Sequence, residues 1–135
     1  KNIYFYHERS SINTLSKNLM RFRKKKPKLI YKTKTQTLNN ILRKLSLKSR
    51  KINFMSLDVE NHEYEVLKNF NFKKYKIDVL VIEFTDLSNK LETYNLSAEK
   101  IMKSKIYKLL FKNYYRLINW VNSDLVFIHK RSKLK

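Results

Sequence analysis

The sequence predicts an α/β fold, and three observations carry that prediction. Two short apolar segments, residues 52–59 (INFMSLDV) and 77–84 (IDVLVIEF), have the length and near-continuity of strands covered on both faces. A helical pattern lies between them and another follows the second, so strand and helix alternate along the chain. Two alternating segments, residues 114–121 and 125–129, flank a cluster of turn residues and close the sequence. This order builds a doubly wound sheet whose parallel strands are joined by right-handed crossovers, ending in an antiparallel hairpin.

The chain has no glycine and one proline, so element boundaries rest on periodicity and on Asn, Asp and Ser. Residues 3–6 read as a short strand, and residues 10–19 as a polar turn with a helical piece. Residues 21–28 (RFRKKKPK) are a basic loop, and residues 29–34 (LIYKTK) alternate as a strand does. Thr37 can cap a helix, because its hydroxyl can accept from a first-turn amide. Leu38, Ile41, Leu42 and Leu45 then fall on one face. The buried strand at 52–59 follows, then a short helix at 62–70 with Tyr64, Leu67 and Phe70 inward. After the second buried strand at 77–84, Ser97 caps one long helix whose stripe is Met102, Ile106, Leu109 and Leu110. Asn122, Ser123 and Asp124 make the hairpin turn, and residues 130–135 are a frayed tail.

A chain of 135 residues with 42% hydrophobic and 13% aromatic content forms one packed domain and not a disordered segment. No apolar run approaches the roughly 20 residues of a membrane-spanning helix, and no secretory signal opens the chain. Cysteine is absent, which excludes disulfides, thiolate metal sites and cysteine nucleophiles and agrees with a cytoplasmic location. The first residue is Lys1, so the sequence is expected to begin inside a longer reading frame. The net charge of +20 suggests a polyanionic partner. However, its 24 Lys and 7 Arg accompany many Asn, Ile, Tyr and Phe and no Gly, the residue set of AT-rich codons. Base-composition bias accounts for that charge without a selected surface, so nucleic acid is not the leading expectation for a partner.

The chemistry-bearing residues are carboxylates. In an open α/β sheet, ligands bind beyond the carboxyl ends of the strands. Asp58, Glu60 and Glu83 stand at such ends, where carboxylates can take a proton from a hydroxyl, hold a divalent cation or bind a cationic ligand. Asp58 favours a functional reading, because a charge ending a buried strand is costly without a partner. Glu63, in the first turn of a helix, is assigned to satisfying helix amides and the helix dipole. His7, His62 and His129 lack ligand spacing, and no metal site is expected.

The run LDVENHEYEVLKNF resembles the signature of FkbM-type methyltransferases, in which an apolar strand leads into Asp-Val-Glu-Gly and then a helix reading Glu-Val-Leu-Lys. Residues 56–60 (SLDVE), 11–16 (SINTLS), 37–42 (TLNNIL) and 77–84 are similar to further family stretches in the same order. Two departures stand out: Asn61 replaces the family's Gly, and Asn39 and Asn40 replace an acidic pair. Asn tolerates a left-handed backbone, so the turn at Asn61 is expected to survive.

The resemblance implies the C-terminal half of a Rossmann-like class I methyltransferase sheet, with S-adenosyl-L-methionine as cofactor. The glycine-rich cofactor turn and the first strands of that sheet are not in this chain. The resemblance also implies that Asp58 lies near the transferred methyl group and touches the cofactor. Asp58 or Glu60 would then be the base, with Glu83 beside them, acting on a hydroxylated small molecule or glycan. Two other readings remain open. A basic nucleic-acid-binding module would predict salt-sensitive association that survives neutralisation of Asp58 and Glu60. A decayed remnant would predict no activity.

Overall fold

Strand and helix alternate as the sequence pattern requires. The computed structural model describes residues 1–6, 17–22, 26–45, 51–84 and 97–133. The expectations for His7, for residues 11–16, for the basic loop at 23–25 and for the last two residues lie outside these. The described elements are β1 (Asn2–Phe5), α1 (Lys17–Phe22), β2 (Leu29–Lys32), α2 (Leu38–Lys44), β3 (Lys51–Leu57), α3 (Glu63–Leu67), β4 (Lys76–Glu83), α4 (Ala98–Lys103), α5 (Lys105–Lys112), β5 (Tyr115–Val121) and β6 (Asp124–His129). No helix among the described residues is long and apolar enough to cross a membrane.

The chain forms two compact units, Lys1–Gln36 and Thr37–Lys135. In the first, β1 and β2 pair antiparallel with Asn2 opposite Lys32 and Phe5 opposite Leu29. The Lys1 backbone nitrogen donates to the Thr33 carbonyl at 2.9 Å, the Thr33 amide donates to the Lys1 carbonyl at 2.8 Å, and the ribbon gains one rung. These two strands pair with each other and do not join the larger sheet. All four positions of β2 are exposed, so its alternation does not mark a buried face.

The second unit holds a four-stranded mixed sheet in the order β3-β4-β6-β5. β3 and β4 are parallel, with Leu57 opposite Ile82, and β6 runs antiparallel to both β4 and β5. The parallel pair requires a crossover, which α3 supplies. The expected hairpin forms, but its turn is shorter than its composition suggests. Val121 pairs with Asp124, leaving Asn122 and Ser123 as the loop. Asn122 has φ 54°, the left-handed value that the first position of a two-residue hairpin turn can demand.

β3 departs from the expected buried strand. It pairs on one side only among the described residues, and Phe54 is 60% exposed. Its apolar content came from the same residue types as β4, but burial depends on neighbours, and β3 has one. β4, flanked on both sides, buries Ile77, Leu80 and Ile82 completely. These join Leu67, Ile101, Leu110, Leu125 and Phe127 in one core cluster.

The expected long helix after Ser97 is two helices. Ser97 caps α4 as anticipated, accepting from the Lys100 amide at 3.3 Å. Ser104 then takes an extended backbone, φ −65° and ψ 151°, and starts α5. Its hydroxyl accepts from the Tyr107 amide at 3.1 Å and donates to the Ile101 carbonyl at 2.6 Å. A serine that serves as both stop and start competes with the helix backbone for its own amides. The break resets the helical phase, so Ile101, Ile106 and Leu110 are buried while Met102 is 54% exposed.

In α2, the Thr37 hydroxyl accepts from the Asn40 amide as expected. Only Leu42 of the predicted stripe is buried, with Leu38 packed at the core's margin, because seven residues present less than two full turns inward. Ile41 and Leu45 face solvent.

Candidate active site

Parallel pairing sets two acidic residues side by side. Leu57 lies opposite Ile82, so the next residues, Asp58 just beyond β3 and Glu83 at the end of β4, where it still pairs with Asp124, stand side by side at the sheet's carboxyl edge. There the chain turns sharply through Glu60 (φ 53°) and Asn61 (φ 66°) before α3 begins. Two successive left-handed residues reverse the chain within one step, a course usually given to glycine. Asn61 takes the conformation expected of it. Glu60 is the more costly member of the pair, since a non-Gly, non-Asn residue there carries about 1 kcal/mol of strain or more.

That reversal brings α3 back under the strand ends. Glu63 is only 6% exposed, and its Oε1 accepts from the Val59 amide at 2.9 Å. The residue therefore satisfies turn amides, as its first-turn position suggests. It also has a second placement that the sequence reading did not give it. One carboxylate oxygen each from Asp58, Glu63 and Glu83 lie within 4.8 Å of one another. The spacing alone did not announce this placement, which depends on the left-handed turn at Glu60 and Asn61. Glu60 lies close enough to act on Glu83 electrostatically, but its carboxylate is outside this group of three.

The electrostatics follow from crowding of like charge. Burial pushes the Glu83 carboxyl up to about 7, helped by a side-chain hydrogen bond with Asp58 and by the charges of Asp58, Glu60 and Glu63. Burial and neighbouring like charge favour the neutral form of a carboxyl, and here Glu83 is the group that keeps its proton. Burial also raises Glu63, against the lowering effect of its bonds from the Val59, Glu63 and Asn61 amides. Such a cluster can accept a proton when the pair ionises. It can also attract a cation, which would relieve the repulsion. Three oxygens at this spacing suit a divalent ion or an organic cation alike.

Two further features hold the opposite end of the sheet. Asn39, in α2, donates from Nδ2 to the Asn69 carbonyl at 2.8 Å and accepts at Oδ1 from the Asn71 amide at 3.0 Å. This two-point clamp fixes the loop between α3 and β4, and a carboxylate could make only the accepting half of it. Tyr115, in β5, reaches past β6 to donate its hydroxyl to the Ile77 carbonyl at 2.9 Å. Neither role was visible in the sequence. His62 N-caps α3 without a side-chain capping bond, and its Nδ1 lies 3.2 Å from the Glu60 carbonyl.

The family profile described as the methyltransferase FkbM domain matches residues 2–110. No curated protein matches the chain, and neither does any solved structure. The profile spans the β3–α3–β4 unit and all three clustered carboxylates, so the chain belongs to the FkbM methyltransferase domain family.

Proposed function

We propose that this chain carries the acceptor side of a methyl transfer from S-adenosyl-L-methionine to a hydroxyl oxygen, with the Asp58–Glu83 pair as the proton acceptor. One observation supports the reading: carboxylate oxygens of Asp58, Glu63 and Glu83 lie within 4.8 Å of one another at the carboxyl ends of two parallel strands, the edge at which α/β sheets bind ligands. On this reading the sheet is the C-terminal half of a Rossmann-like class I methyltransferase fold, in a cytoplasmic protein.

The residues present fit the positive half of the cofactor. A sulfonium beside Asp58 would neutralise the charge that keeps a proton on Glu83 up to about 7. When bound, the cofactor supplies an electrophilic methyl group. With no glycine in the chain, no residue here is assigned to the adenosine portion. The protein's own work is positional and acid–base. The left-handed turn at Glu60 and Asn61 aims the backbone, and Glu63 ties that turn to the strand end. The ionised Asp58–Glu83 pair then removes the acceptor's hydroxyl proton as its oxygen becomes nucleophilic. Positioning and proton removal are the main aids an in-line displacement needs. Glu60 lines the approach beside them.

The acceptor would be a hydroxylated small molecule or a glycan. The test is methyl transfer from labelled S-adenosylmethionine to a panel of hydroxylated acceptors, using the full gene product and its Asp58→Asn variant. Transfer should fall by about 100-fold or more in the variant, the usual contribution of a general base. Undiminished turnover would remove Asp58 from the mechanism.

A further inference from the structure

The opposite end of the sheet carries the reverse charge. Ile77 and Glu83 are six residues apart on β4, roughly 20 Å at the rise of an extended strand. At the Ile77 end the second unit encloses a cavity of about 770 Å³. Its lining includes Lys51, Lys73, Lys76, Lys112, Arg131 and Lys133. Lys and Arg are 31 of the chain's 135 residues, yet they are half of this lining. Uniform codon bias explains a basic protein, but it does not gather cations from four separate chain segments onto one concavity.

The surroundings leave that charge available. The lining holds one carboxylate, Asp78, which is 8% exposed and paired with Lys51 Nζ at 3.0 Å. Among the described residues, no second acidic side chain lines the cavity. His129, also in the lining, is held below the ordinary histidine value chiefly by burial, with Arg131 and Lys76 lowering it and Asp78 raising it. Apolar surface is present as well. Ile77 is fully buried behind the cavity, and Phe72 and Tyr114 offer ring faces. Tyr114 sits at φ 65°, a left-handed backbone that is costly for a bulky residue, and the ring it carries is 62% exposed.

We propose that this cavity binds a small ligand bearing two or more phosphate groups and a flat ring, the chemistry of a nucleoside polyphosphate. Its volume falls within the range of small-molecule pockets, roughly 300–1,000 Å³. Several cations around a concave wall match clustered phosphate oxygens, and the rings match a base. A nucleic-acid strand would instead need a continuous basic groove with successive stacking platforms. The site is separate from the carboxylate cluster and does not depend on methyl transfer.

The experiment is calorimetric titration of the full chain at near-physiological salt with adenosine triphosphate, inorganic tripolyphosphate and adenosine. Adenosine triphosphate should saturate one site and bind more tightly than tripolyphosphate, with adenosine weakest. Lys76→Gln/Arg131→Gln should weaken triphosphate binding by about tenfold, and Lys73→Gln/Lys133→Gln similarly, since both pairs remove charge-assisted contacts. The charge-matched control Lys100→Gln/Lys108→Gln, outside the lining, should change it by less than about twofold on the same principle. Equal losses in all three variants would overturn the proposal. So would unsaturable binding, or an affinity that grows with the length of an added oligonucleotide.

Discussion

Asp58 and Glu83 lie side by side where β3 and β4 end, with carboxylate oxygens within 4.8 Å of each other, and Glu83 keeps its proton up to about 7. Everything distinctive about the site follows from that pairing. Parallel register puts the two residues abreast, the reversal at Glu60 and Asn61 folds Glu63 beneath them, and burial makes the retained proton cheaper than a second charge.

Stability should fall as pH rises through this proton's titration. The Glu83 carboxyl is raised from 4.5 to about 7 in the folded protein. The folded state therefore holds a proton that the unfolded state gives up, and the stabilisation is fully present below pH 4.5 and lost as pH passes 7. Glu63, also raised, adds loss in the same direction. Thermal melts from pH 4.5 to 8 should show this decline in the wild type and a shallower one in Glu83→Gln. An unchanged slope in the variant would count against a retained proton on Glu83.

Asn61 should be replaceable by glycine but not by a β-branched residue. Its φ of 66° suits Gly and Asn and penalises valine. Asn61→Gly should hold or raise stability, and Asn61→Val should cost about 1–3 kcal/mol. Denaturant midpoints of the two variants check this. Equal midpoints would mean the turn is not left-handed at this position.

Removing the Tyr115 hydroxyl should cost more than its small size suggests. Tyr115→Phe deletes the bond to the Ile77 carbonyl and leaves a buried acceptor unmet. Loss of about 1–3 kcal/mol is expected, measured by urea unfolding. The same burial pushes the phenol up from 10.0 to about 12, so the stabilisation linked to its proton is fully present below pH 10.0 and is lost as pH rises through about 12.

Asn39 should not tolerate aspartate. The clamp on Asn69 and Asn71 needs one donor and one acceptor. Asn39→Asp keeps the acceptor and turns a carboxylate oxygen towards the Asn69 carbonyl. A loss of about 1 kcal/mol is expected in this exposed position, with Asn39→Ala comparable. If the aspartate variant melted above the wild type, the clamp would contribute nothing.

The parallel pair, its crossover helix and the closing hairpin were legible because apolar continuity and turn composition are local signals. So was the meeting of Asp58 and Glu83, which needs only that two strands of similar length lie side by side. The exposure of β3 was not legible, since Phe54 and Ile77 are equally apolar and only a neighbouring strand distinguishes them. The break at Ser104 hid inside a continuous helical pattern, because serine can end one helix and cap the next with the same hydroxyl. Glu63 read as a capping residue and is one, but its reach towards Asp58 and Glu83 depends on a turn built from positive φ angles. The clamp by Asn39 and the basic cavity join residues far apart in sequence, and no periodicity records such pairings.

The most direct measurement of the central claim is the titration of the Glu83 side-chain carboxyl carbon by NMR, in the wild type and in Asp58→Asn. The wild-type midpoint should lie near 7, and the variant's midpoint should move down as the Asp58 charge is removed. A wild-type midpoint near the ordinary 4.5, unmoved by the substitution, would contradict the account.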